Sequence, residues 1–115
     1  LEIDRSQMSR AVTNLLENAT TALREGGGQD RRITIRTGYD PEVHIATLDI
    51  IDTGPGIPQS VKERMFEPYF STKRGGTGLG LVIVNRIVSD HNGFIRVKDS
   101  EPTGTVFSIE LPVKE

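Results

Sequence analysis

Apolar and polar positions along the chain fall into alternating helical and extended patterns. Met8, Val12, Leu15, Leu16, Ala19 and Leu23 lie on one arc at about 100° per residue, which predicts an amphipathic first helix. Asp4 and Gln7 have the spacing of a capping box at its start, and Gly26-Gly27-Gly28 marks its stop. Residues 31–39 alternate, with Ile33 and Ile35 on one face and Arg32, Thr34 and Arg36 on the other, as in a half-buried strand. Asp40-Pro41 signals a turn. Residues 43–52 are more continuously apolar, so a strand there is predicted to sit centrally in a sheet. Residues 53–76 read as loop, with Pro55, Pro58 and Pro68 and a short helical piece around 59–65. A second main helix is predicted over about 78–90, rich in Val82, Ile83, Val84, Ile87 and Val88. His91-Asn92-Gly93 is a turn, followed by strands at 94–98 and 105–111 joined through Glu101-Pro102-Thr103-Gly104. This order predicts a two-layer α/β sandwich, with helices on one face of the sheet.

The length of 115 residues makes one domain, 1–115, with room for a core. A net charge of −2 argues against a general nucleic-acid binder. The absence of Cys excludes disulfides, thiolate metal sites and Cys nucleophiles. No apolar run reaches the length of a membrane span, and no signal-peptide pattern opens the chain. It opens on Leu1, which reads as a fragment of a longer protein.

Candidate chemistry begins at Gly75-Gly76-Thr77-Gly78-Leu79-Gly80-Leu81, with four glycines in six residues. A glycine loop delivering the chain into a helix N-terminus suits phosphate oxygens, because free N–H groups and the helix dipole both face the anion. It is not a P-loop, since Leu81 rather than Lys follows the last glycine, and no strand directly precedes it as a dinucleotide fingerprint requires. Asn14 and Asn18, spaced i, i+4, lie about 145° and about 105° from the centre of the apolar arc, at the rim of the buried face. Amide oxygens there suit Mg²⁺; equally, the pair reads as two solvated asparagines. Asp52-Thr53-Gly54-Pro55-Gly56 ends the second strand. Asp52 shares parity with Leu48 and Ile50, so it is either a carboxylate buried for a donor such as an adenine amino group or an ordinary turn residue. Phe66 to Lys73 holds three of the chain's six aromatics. They read as anchors for a loop, as a lid whose Lys73, backed by Arg74, reaches a triphosphate, or as both. His44, in the second strand, and His91, in a turn, read as structural.

Taken in order, these segments resemble the ATP-binding catalytic domain of sensor histidine kinases, within the superfamily shared with gyrase, Hsp90 and MutL. Asn14-Leu15-Leu16-Glu17-Asn18-Ala19 is similar to its N box and Asp52-Thr53-Gly54-Pro55-Gly56-Ile57-Pro58 to its first glycine box. Residues 66–70 resemble its F box and Gly76-Thr77-Gly78-Leu79-Gly80-Leu81 its second glycine box. Gly104-Thr105-Val106-Phe107, then Leu111-Pro112, is similar to the closing strand motif. The resemblance implies the Bergerat ATP fold, with a mixed, mostly antiparallel sheet. It implies that Asn18 ligates Mg²⁺, with Asn14 supporting the phosphates or metal-bound water. It also implies that Asp52 reads the adenine amino group, with Gly54, Gly56, Ile57, Phe66 and Thr105 around the adenine side. Lys73, Gly76, Thr77, Gly78, Leu79, Gly80 and Leu81 would serve the phosphates, and residues 57–75 would form an ATP lid. The wording around Asn18 and Phe66 looks closest to nitrogen-regulation-type kinases.

Two departures stand out. Thr21 occupies a position where many members carry a basic residue, leaving Arg24 or Lys73 as substitutes, and no histidine has a phosphoacceptor context. Leu1-Glu2-Ile3 reads as the remnant of a strand that members carry before the first helix. The expected function is therefore a kinase module that binds Mg²⁺·ATP and passes the γ-phosphoryl to a His on a separate dimerisation domain, with a response regulator as indirect partner. The alternatives are an ATPase or anti-sigma-type serine kinase of the same superfamily, or a nucleotide-sensing binding module. Those relatives carry a Glu general base where this chain has Asn14. A cytoplasmic location without nucleic-acid or membrane contact is expected for the domain, whether or not the full-length protein is membrane-anchored.

Overall fold

The computed structural model describes residues 3–26, 28–67 and 80–113. Its elements run α1 (Arg5–Gly26), β1 (Ile33–Asp40), β2 (Ile45–Asp52), α2 (Gln59–Lys62), α3 (Gly80–Asp90), β3 (Phe94–Asp99) and β4 (Thr105–Pro112). The four strands form one sheet in the order β1-β2-β4-β3, and every pairing among them is antiparallel. Residues 1–2, where the strand remnant was expected to begin, lie outside the described residues; Ile3 belongs to no strand.

The apolar arc of α1 is the face it buries: Met8, Ala11, Leu15, Ala19 and Leu23 are buried, and Val12 and Leu16 pack partly against the core. From α3, Val84, Ile87 and Val88 join them, above Ile50 of β2 and Phe107, Ile109 and Leu111 of β4. Side chains as large as Leu15, Ile50 and Ile109, fully enclosed, contribute about 1.5–3 kcal/mol each. The helices cover one face of β2 and β4, giving the two-layer sandwich. β2 is central, as its continuous apolar pattern predicts. Ile35 shares the inner face with Ile50 by register, yet it is 53% exposed, because β1 lies at the sheet margin. No helix among the described residues is long and apolar enough to cross a membrane.

Local chemistry sets the ends. Asp4 Oδ1 accepts the Gln7 N–H at 3.0 Å, as the capping spacing predicts. At the other end of the helical layer, α3 closes in a Schellman motif: Gly93 N–H donates to Val88 O and Asn92 N–H to Ser89 O, both at 2.9 Å. Asn92 takes the left-handed position at φ 61°. The expected helix over 59–65 ends at Lys62, because Arg64 N–H reaches back only three residues, to Val61 O, and the chain tightens into turns. His44, expected in the second strand, instead closes the 41–44 turn at φ 55°.

His91 joins the two helices. Asp4 N–H donates to His91 Nε2 at 2.9 Å, so Nδ1 is the donor that meets Ile87 O at 2.7 Å. The ring bridges the start of α1 to the end of α3. His91→Ala is expected to cost about 1–2 kcal/mol, since it orphans a helix-initiating N–H, read as a lower urea midpoint at unchanged slope.

Candidate functional site

The site is built on the ends of β2 and β4 and on one side of α1. Asp52 is the last residue of β2, faces the helical layer with Ile50, and is 3% exposed. Its Oδ1 accepts the Gly54 N–H at 2.9 Å. Burial pushes its carboxyl above the ordinary aspartate value, and backbone N–H groups of Gly54 and Thr105 pull it back in part. Thr105, its register partner on β4, is equally buried. An aspartate this enclosed is costly unless further donors reach it, and its bond to the N–H two residues on is that of an Asx turn.

Two glycines let the backbone close around Asp52. Gly104 takes φ +123°, and a Cβ there would lie 2.0 Å from Asp52 O, so no side chain fits. Gly56 takes φ +84°, with Gly104 O 3.5 Å from where a Cβ would stand. Gly54 lies against α1, its Cβ direction meeting Ala22 Cβ at 3.2 Å.

That contact orients the asparagines. Asn14, Asn18 and Ala22 recur every four residues, so they share one side of α1. Ala22 touches the Gly54 turn, Asn18 stands one turn earlier, and Asn14 Nδ2 donates to Gly80 O at the start of α3, 3.3 Å away. Both asparagines are half-buried, at the rim of the core face as the helical wheel predicts. The stripe from Ala22 to Asn14 is about 12 Å long, at 1.5 Å per residue. It runs from the Asp52 turn to the α3 N-terminus.

Other expected site residues divide. Ile57, Phe66 and Leu81 are half-buried and pack partly against the core cluster. Gly80 opens the described part of α3 and is exposed. Lys73, Gly76, Thr77, Gly78 and Leu79, residues 68–75 of the expected lid and the expected first residues of the second helix lie outside the described residues. Thr21 Oγ1 donates to Glu17 O at 2.9 Å, within its own helix, and Arg24 is exposed.

Three participants were not singled out for the site by the sequence pattern. Ala22 carries only its i, i+4 spacing from Asn18 as a signal. Thr53 Oγ1 donates to Asp30 O at 2.6 Å and accepts Arg32 N–H at 2.8 Å, fixing the turn to the chain before β1. Lys62 reaches Asp99 across 37 positions, which no local spacing reveals.

The sequence profile described as histidine kinase-, DNA gyrase B- and HSP90-like ATPase matches residues 3–115. The sensory histidine kinase/phosphatase NtrB of Rhodobacter capsulatus is 40% identical over an alignment covering 96% of this chain and 33% of that protein. The nitrogen regulation protein NtrY of Azorhizobium caulinodans is 40% identical over 96% of this chain and 14% of that protein. The chain thus spans a third or less of the length of these relatives. Among solved structures, the catalytic domain of histidine kinase ThkA superposes with a TM-score of 0.83 at 35% identity, covering 97% of this chain and 71% of that one. The mycobacterial sensor histidine kinase MprB gives 0.78 at 38% identity, covering 95% of this chain and 72% of that one. With its buried aspartate, paired glycines and asparagine stripe in this arrangement, the chain belongs to the histidine kinase-, DNA gyrase B- and HSP90-like ATPase family, as a domain of the sensor histidine kinase type.

Proposed function

We propose that the chain binds Mg²⁺·ATP and passes the γ-phosphoryl group to a histidine on a separate dimerisation domain of the same kinase, with a response regulator acting after it. The observation that carries this reading is one side of the molecule with a buried carboxylate at one end and an amide stripe running from it. In this reading Asp52 accepts the adenine amino group through the oxygen not held by Gly54, and Thr105 supports the same edge. Asn18 offers an amide oxygen to Mg²⁺, and Asn14, whose nitrogen is committed to Gly80 O, supports the phosphate end. Among the described residues no three His, Asp or Glu converge on a common point, so phosphate oxygens and water would complete the coordination of the cation. The phosphates would lie towards the glycine array ahead of α3. Transfer then rests on positioning and charge neutralisation.

The ATPase alternative is disfavoured by one contact. The position four residues before Asn18, where its relatives place a carboxylate base, holds an amide donating to Gly80 O, which cannot take a proton from water.

Calorimetric titration with ATP, with and without Mg²⁺, tests the binding step. Asn18→Ala should reduce the Mg²⁺-dependent part of the affinity about tenfold, equivalent to about 1.4 kcal/mol; an unchanged Mg²⁺ dependence overturns the metal role. With γ-labelled ATP and the His-bearing domain added in trans, label should appear on that domain alone. Label on this chain would overturn the proposal.

A further inference from the structure

The segment that follows the Asp52 turn has little structure of its own to hold it in place. α2 is only four residues long, no side chain caps it, and none of its residues is buried. A helix that short is not stable in water by itself, so tertiary contacts place it. Met65 is buried, and Ile57, Val61 and Phe66 pack partly against the core. Such apolar contact is non-directional: it sets how deeply the segment sits, and it is weak at fixing where along the sheet it sits.

One directional contact of the segment is ionic. Lys62 Nζ donates to Asp99 Oδ1 at 2.5 Å, with the lysine side chain only 13% exposed and the aspartate 69% exposed. Asp99 is the last residue of β3, and its register partner is Thr105, which in turn pairs with Asp52. Lys62 is therefore tied to the same cross-strand row as the buried aspartate, two strand spacings or about 10 Å from it. The segment has a second close approach to this end of the sheet, where Gly56 meets Gly104.

We propose that Lys62 is a positioning residue of the nucleotide site. Through Asp99 it holds α2, and with it residues 54–58, at a set separation from the β3–β4 connection, at the end of the sheet that carries Asp52. The inference rests on the ATP-binding reading above. Exposed ion pairs generally contribute little. This one differs because the cation is largely out of water, so removing Asp99 leaves a poorly solvated charge that α2 must shift to hydrate.

The test measures ATP and ADP affinity of the 115-residue chain beside its thermal midpoint, for wild type, Lys62→Met, Lys62→Arg and Asp99→Asn. It adds the charge exchange Lys62→Asp with Asp99→Lys. Lys62→Met and Asp99→Asn should weaken ATP and ADP alike by about fivefold, since the pair sits at the Asp52 end. Lys62→Arg and the charge exchange should recover most of the loss. Asp99→Asn changes a mostly exposed side chain, so it reports on the site even if Lys62→Met fails to fold. A purely structural role predicts a lower midpoint with unchanged affinity, and that result overturns the inference while leaving the ATP reading intact. Affinity that stays low in the charge exchange with its midpoint restored also overturns it. A wild-type chain that binds neither nucleotide overturns both.

Discussion

Asp52→Asn is expected to weaken ATP binding by about a hundredfold, roughly 2–3 kcal/mol, without lowering the stability of the fold. The geometry dictates the sign. Asp52 Oδ1 is held by the Gly54 N–H at 2.9 Å, so an asparagine would keep its carbonyl oxygen there and turn its NH₂ towards the ligand. A donor would then face the adenine amino donor in a buried site, where a mismatch is not relieved by water. Stability moves the other way. Burial raises the folded-state carboxyl above its ordinary value, so the ionised group is a cost to the fold that appears as pH rises from the ordinary aspartate value through the raised one. Removing the charge removes that cost at neutral pH. The same shift gives binding a pH dependence. In the proposed role the ionised carboxylate is the form that accepts the adenine amino group, so wild-type affinity should fall as pH is lowered through the raised value. The ratio of wild-type to Asp52→Asn affinity should shrink in parallel, which separates the contribution of Asp52 from the titration of ATP itself. Calorimetry across that range decides it: a ratio flat with pH, or an affinity loss within twofold, would show that Asp52 does not read the base.

The second large effect concerns the fold around the site. Gly104→Ala is expected to destabilise the chain by about 3 kcal/mol or more, lowering the thermal midpoint by about 10–15 °C. The added Cβ would stand 2.0 Å from Asp52 O and 3.2 Å from Thr53 Cα, at φ +123°. These neighbours are backbone of the β2 end, so relief requires β2 and β4 to part where Asp52 and Thr105 pair. Gly56→Ala is the control. It also has a positive φ, but its nearest atom would be Gly104 O at an ordinary 3.5 Å, so only the conformational cost of about 1 kcal/mol applies. Calorimetric unfolding of the two variants should differ severalfold in effect. Equal losses would mean that backbone conformation, and not the approach to Asp52, makes Gly104 necessary.

Most of the helical layer was legible along the chain. The 3.6-residue arc of α1, its Asp4 cap and the apolar density of α3 each depend on neighbours within a turn or two, and local spacing carries that information. The parity that puts Asp52 with Ile50 is similarly local. Burial at the margin was not legible: Ile33 and Ile35 alternate as a core-facing strand should, yet coverage depends on where the helices lie across the sheet. His91 carried too little in sequence to separate a turn residue from the bridge it makes to Asp4, 87 positions away.

The sequence by itself determined the elements, their order, the inward parity of Asp52 and the i, i+4 stacking of Asn14 and Asn18, because periodicity and capping act over a few residues. Only the tertiary structure decided that Ala22 meets Gly54, that Gly104 leaves no room for a side chain beside Asp52, and that Lys62 is tied to Asp99. Those contacts join β2, β3, β4, α1 and α2 across long stretches of chain. Sheet register and close packing create them, and nothing in local spacing encodes how near two distant backbones will come.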